Sequence, residues 1–168
     1  MTSTYEMIAK TTLGSAQATV SFSTISGSYT DLVLISNVDV TSAGASINIR
    51  FNSDTGSNYS YTTMYGNGTS ALSTRGSNVT SSYIAGFVAP NTAIETVIIT
   101  NIQNYSNTTT NKTFLSRANR ASANNSPGAE ALVGLWRNTA AITSITLAAD
   151  SGNIDTGSTF TLYGIKAE

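Results

Sequence analysis

Apolar and polar residues alternate along this chain in short runs, and clusters of turn residues separate the runs. Tyr5, Ile8 and Thr12 mark an opening strand, and Ala18, Val20 and Phe22 alternate with polar partners in a second. Leu32 to Ile35 are continuously apolar before Val38 and Val40 resume alternation, as expected of a strand passing through the middle of a sandwich with both faces partly covered. Ile47, Ile49 and Phe51 alternate with Asn48 and Arg50, which places Arg50 on the outer face.

The polar run Asn52 to Asn58 reads as a loop, and Tyr59 to Tyr65 alternates Tyr with Ser and Thr. Asn67-Gly68 fits a type I′ hairpin corner, but the polar stretch continues to about Ser82, which fits a long surface loop equally. Strands are expected at Tyr83 to Val88 and Ile94 to Ile102, with Pro90-Asn91 as the turn between them. After a loop at Asn104 to Asn111, Thr113, Leu115, Arg117 and Asn119 alternate against Phe114, Ser116 and Ala118. A loop from Ala123 to Gly128 precedes Leu132 to Trp136. Ile142, Ile145 and Leu147 form the penultimate strand, and Phe160 and Leu162 the last.

No apolar i, i+3, i+4, i+7 stripe is sustained, and β-branched residues dominate, so helices are not expected. About ten strands with uneven loops predict an all-β fold: a two-sheet antiparallel β-sandwich of jelly-roll-like type. At 168 residues a single domain, 1–168, is the economical count, with residues 1–4 as a short N-terminal arm.

Composition narrows the chemistry. There is no His and no Cys, which removes the commonest proton shuttle, the commonest metal ligand, the thiol nucleophile and the disulfide. With 40% hydrophobic and 10% charged residues the chain lacks the signature of disorder. The net charge is −1 and no segment concentrates Lys or Arg, so neither nucleic acid nor an anionic membrane is an expected partner. The first residues show no basic and apolar export signal, and no apolar run approaches the roughly 20 residues that span a bilayer; the chain is expected to be soluble.

Two Asp-Thr-Gly triplets, at Asp54 and Asp155, invite comparison with the paired carboxylates of pepsin-like proteases. Asn52-Ser53 stands before the first where apolar residues are wanted, and the second lies too near the C-terminus for a supporting strand to follow. Both read as turns. Asp150-Ser151-Gly152-Asn153-Ile154-Asp155 offers alternating oxygens to a hard cation but lacks a bidentate Glu, and reads as a hairpin corner. Glu6, Asp31, Glu95 and Glu130 are too scattered in sequence to define a glycosidase pair. The Asn-x-Ser/Thr sequons at Asn58, Asn67, Asn78, Asn104, Asn107, Asn111 and Asn124 are what so much Asn, Ser and Thr produces by chance. Trp136, Tyr59 and Tyr61 are the candidate binding residues, as stacking platforms for a sugar or as core packing. No cofactor, metal or catalytic residue is expected.

Several segments carry a resemblance. They are Tyr5-Glu6-Met7-Ile8-Ala9, Thr12 to Ala16, Val20-Ser21-Phe22, Tyr29 to Leu32, Phe51 to Tyr59, Leu135-Trp136-Arg137 and Gly157 to Lys166. Together they resemble a family of small virion proteins of tailed bacteriophages, cyanophages among them. The resemblance implies a jelly-roll-like β-domain at the virion surface, made in the host cytoplasm. Its role would be that of a capsid decoration or cement protein, binding the major capsid protein and copies of itself, with a trimer suggested by capsid three-fold positions. The alternative it implies is a receptor- or glycan-binding domain of a tail or head fibre. No catalytic motif accompanies the match, so the expected function is structural and not enzymatic.

Overall fold

The computed structural model describes residues 4–88, 90, 95–121 and 127–166. Residues Met1 to Ser3 of the expected arm, Asn91 of the expected turn, Ile94, and residues 122–126, with the sequon at Asn124, lie outside the described residues.

Twelve strands form the fold: β1 (Tyr5–Thr12), β2 (Thr19–Phe22), β3 (Asp31–Val38), β4 (Ile47–Phe51), β5 (Tyr59–Gly66), β6 (Ala71–Val79), β7 (Ser82–Ala85), β8 (Thr96–Ile102), β9 (Lys112–Ala121), β10 (Pro127–Trp136), β11 (Ile145–Ala149) and β12 (Thr159–Ile165). No helix occurs among the described residues. The large sheet has the order β1-β12-β3-β8-β9-β10-β5-β6 and the small one β2-β11-β4-β7. Every strand pair is antiparallel.

Leaving out β5, β6, β9 and β10 exposes the underlying plan. In chain order the eight remaining strands cross between the sheets at every step except from β4 to β7, which share the small sheet; the result is β1-β12-β3-β8 opposite β2-β11-β4-β7, which is a jelly roll. The other four strands are two excursions, one between β4 and β7 and one between β8 and β11. Both add to the β8 edge, so the large sheet is twice as wide as the small one.

The alternation read from the sequence becomes the two faces of each strand. On β9, Lys112, Phe114, Ser116 and Ala118 point inward while Thr113, Leu115, Arg117 and Asn119 face out. The core fills the space between the sheets with Val20, Phe22, Ile47, Ile49, Phe51, Ile145 and Leu147 from one side. Leu32, Leu34, Ile98, Phe114, Leu132, Trp136 and Phe160 meet them from the other. Each such side chain contributes about 1.5–3 kcal/mol through burial.

Three expectations change. The polar stretch after Gly66 is not a long loop: Asn67 Oδ1 accepts from the Thr69 and Ser70 amides at 3.0 and 2.8 Å, Gly68 takes φ +87°, and β6 pairs back along β5. β6 brings the count above ten; both its faces meet solvent, so it carries no apolar alternation. Asp150 to Asp155 is no hairpin corner, because β11 and β12 belong to different sheets and the segment crosses between them. Ile142 precedes β11 as a buried loop residue whose amide donates to the Tyr105 carbonyl at 2.9 Å.

Candidate functional site

The densest polar cluster sits where β4 ends and β10 ends. Asn52 and Ser53 both adopt positive φ, 52° and 56°, turning the chain sharply out of β4. Asn52 fixes that turn by accepting from the Thr143 and Ser144 amides at 2.8 and 3.1 Å and donating to the Ala141 carbonyl at 2.7 Å. Asp54 follows, and its carboxylate is fully engaged. Oδ1 accepts from the Gly56 amide at 2.8 Å, while Oδ2 accepts from Asn58 Nδ2 at 2.9 Å and from the Trp136 indole at 2.7 Å. The Trp136 hydrogen bond is the largest influence holding the Asp54 carboxyl below the usual range; burial opposes it, and Asn58 and Gly56 add to it.

Trp136 and Tyr59 are fully buried, with rings stacked at 6.3 Å and Phe51 tilted against Trp136 at 5.6 Å. The Tyr59 hydroxyl accepts from the Phe51 amide at 2.9 Å, and burial pushes this phenol up to about 12. Tyr61 is half-buried, 4.8 Å from the Tyr83 ring and against Gly76, where a Cβ would lie 2.5 Å from its ring. Burial, with Tyr83 second, raises its pKa. Trp136 and Tyr59 therefore offer no ring face to a sugar, and Tyr61 already has its neighbours. Arg137 clamps the same corner, donating to Ser60 Oγ at 2.5 Å, Ser57 O at 2.8 Å and Asn78 Oδ1 at 2.9 Å.

The second triplet is elsewhere. Asp54 lies past Phe51, which pairs with Ile145 where β11 begins, and Asp155 lies past Ala149, where β11 ends. The two aspartates stand at opposite ends of β11 and cannot share a proton. Asp155 Oδ1 accepts its neighbour Thr156's amide at 2.7 Å, and Gly157 takes φ +89°, the geometry of a turn. Asp150, first residue of the calcium-like run, spends Oδ1 on the Ser46 amide at 2.8 Å. Among the described residues no group of three or more acids is placed to hold a metal ion.

The scattered acids do not converge either. Glu6 pairs with Lys166, Asp31 accepts from the Asn104 amide at 2.6 Å, and Glu130 accepts from Thr63 Oγ1 and the Gly86 amide, both at 2.8 Å. Among the described residues two charged side chains are buried, and burial was not expected of either from the sequence. Glu130 is one, and Lys112 is the other, whose ammonium donates to Thr110 O at 2.7 Å and Thr139 O at 3.0 Å and whose pKa burial lowers. Strand phase was the available signal, since Lys112 is in step with Phe114 and Glu130 with Leu132 and Trp136.

What remains at the surface is a broad face. Every exposed large hydrophobic side chain among the described residues stands on the large sheet, and all but Leu72 are in phase with its outer side. A shallow depression lined by Val97, Ile99, Arg117 and Ala129 lies on that side. The outer side of the small sheet is instead mostly polar, with Thr19, Ser21, Asn48, Arg50 and Thr146 beside Ala148 and the half-buried Tyr83.

No family model and no curated protein matches the sequence. Among solved structures, the chain is similar to the galectin LEC-6 of Caenorhabditis elegans at 10% identity, covering 94% of this chain and 96% of that one, with a TM-score of 0.35. It is similar to the protein SO2946 of Shewanella oneidensis MR-1 at 11% identity, 98% and 77% coverage and a TM-score of 0.21. The third is scytalido-glutamic peptidase with a transition state analog inhibitor, at 8% identity, 91% and 66% coverage and a TM-score of 0.25. At these scores none of the three bears on what this chain does.

Proposed function

We propose that this protein is a non-catalytic structural module of a virus particle, a decoration or cement protein that binds the assembled shell and bridges neighbouring shell subunits. The observation that carries the reading is the fate of the chemistry-bearing side chains. Asp54, Trp136, Tyr59, Asp150, Glu130 and Lys112 are all committed to hydrogen bonds that hold strands and turns together. A sugar pocket needs aromatic faces and converging polar groups, and a hydrolase needs a pair of acids; here Trp136 and Tyr59 are core, Tyr61 packs against Tyr83 and Gly76, and the acids are dispersed.

The resemblance of the strand and turn sequences to small virion proteins gives the reading its setting. A Cys-free sandwich suits a particle surface, where thiols oxidise. A module that binds only the assembled shell stabilises it by mass action, with no covalent step. The Ser/Thr/Asn loop at Asn104 to Asn111 and the N-terminal arm are the segments assigned to the shell, since such residues make adaptable hydrogen bonds over a broad contact.

Particles assembled without this protein should lose heat and osmotic resistance while still adsorbing to host cells. Particles that keep their resistance and fail to adsorb would replace this reading with that of a fibre or glycan-binding domain.

A further inference from the structure

We propose that the outer face of the large sheet is the contact surface between two copies of this chain. The molecule supplies its own control. Two sheets share one core, and an antiparallel sheet with a solvated side normally shows polar residues there. The small sheet does so; the large one presents Ile35, Val97, Leu115, Val133 and Met64, with Met7 further along at β1. Val133 and Met64 are 54% and 62% exposed, well beyond the incidental edge of a core residue. So many exposed apolar side chains gathered on one face, with few polar residues between them, are unusual on a chain that works alone.

Strand register shows that these residues are contiguous. Tyr163, Val33, Asn101, Leu115, Val133 and Thr62 form one row across β12, β3, β8, β9, β10 and β5. The next row runs Ile35, Ile99, Arg117, Ala131, Met64. From β1 to β5 the sheet has seven strands, about 34 Å at roughly 4.8 Å spacing, and strands of about seven residues are roughly 24 Å long. The product, about 800 Å², is what one partner contributes to a standard-sized stable interface.

Charge also favours a second copy over a strongly charged partner. Arg117 is the one charged residue in the middle of these rows, and no carboxylate stands beside it. A two-fold axis along the Val33 to Thr62 row packs the two sheets with aligned strands, the common arrangement for stacked sheets. Arg117 then lies one row, about 6.8 Å, to one side of the axis, and its copy lies the same distance to the other. Their separation of about 14 Å keeps the two guanidinium groups from facing each other directly, and the repulsion between like charges falls with distance. Leu115 and Val133 meet their own copies. An isologous contact of this kind closes as a dimer, in place of the trimer the family resemblance suggests.

This inference does not rest on the virion reading, and a dimer would give that reading two shell-binding surfaces and the avidity that bridging requires. The test is sedimentation equilibrium of the full chain at about 50 µM, above the micromolar weak limit for interfaces of this size. Wild type is expected at twice 17.5 kDa, Val133→Asp at 17.5 kDa, and Thr146→Asp on the small sheet unchanged from wild type.

Because the chain contains no Cys, Val133→Cys provides a second measurement that does not depend on an Asp being tolerated. Under mild oxidation by dissolved oxygen it should form a disulfide-linked dimer, while Thr146→Cys should stay monomeric on a denaturing gel. A wild-type monomer would overturn the proposal and return the face to a different protein partner. So would an oligomer that survives Val133→Asp, or equal cross-linking at both positions.

Discussion

The indole Nε1 of Trp136 donates a 2.7 Å hydrogen bond to Oδ2 of Asp54, tying the last residue of β10 to the turn that follows β4. It joins one of the two excursions to the jelly-roll framework. Losing the carboxylate leaves a buried indole N–H without its acceptor. Asp54→Ala is expected to destabilise the fold by about 1.5–3 kcal/mol, lowering the thermal midpoint by on the order of 5 °C. A calorimetric scan checks this, and an unchanged midpoint would show the contact to be incidental.

The same carboxylate gives the protein an acid-dependent stability. Its folded pKa lies below the unfolded value of about 3.9, so its contribution is present above that value and is lost as pH falls through the folded pKa. Asp39 has the opposite sign. Burial first, then Glu95 and Asp155, raise its pKa, so stability falls as pH rises from the unfolded value through the folded one. Urea titrations from pH 2.5 to 7 should show a shallower acid slope for Asp54→Asn than for wild type. For Asp39→Asn they should show higher stability at pH 7; the reverse pattern would mean the two environments are misassigned.

Gly134 faces Phe114 across β10 and β9, and a Cβ at Gly134 would lie 2.0 Å from the ring's Cζ. The ring lies over the glycine and reaches Phe51 edge-on at 5.6 Å. Gly134→Ala must displace Phe114 from the core and should cost about 1–3 kcal/mol, as overpacking does. The double variant Gly134→Ala with Phe114→Leu should recover part of that loss in chemical denaturation. Simple additivity of the two changes would argue against the ring-on-glycine contact.

The separation of Asp54 and Asp155 along β11 predicts catalytic inertness toward peptides. Incubation with denatured protein substrates at pH 3 to 5 should leave them intact. Cleavage that pepstatin blocks and Asp54→Ala abolishes would contradict the placement of the two turns.

Strands with one buried side were legible from the sequence because burial imposes a period of two; β4 and β9 read directly from Ile47 to Phe51 and from Phe114 to Asn119. β6 was not, because Ala71 to Val79 has solvent on both sides and nothing forces alternation there. The turn chemistry of Asn67 and Gly68 was visible, but the partner strand that makes it a hairpin was not. Pairing order is equally hidden. Nothing local says that β10 will lie between β9 and β5, or that Trp136 will meet an aspartate 82 residues away. Sequence leaves Trp136 and Tyr59 open between a sugar platform and core packing, since both uses ask for a large ring in a strand, and only the opposing sheet decides.

The proposed role of this chain is to bind an assembled shell. A reconstruction of the intact particle whose genome encodes it, at a resolution that separates strands, tests that most directly. The prediction is density for a twelve-stranded sandwich on the outer shell, spanning adjacent shell subunits, with the loop at Asn104 to Asn111 on the shell side. Density for this fold confined to fibre tips, with a bare shell, would contradict it.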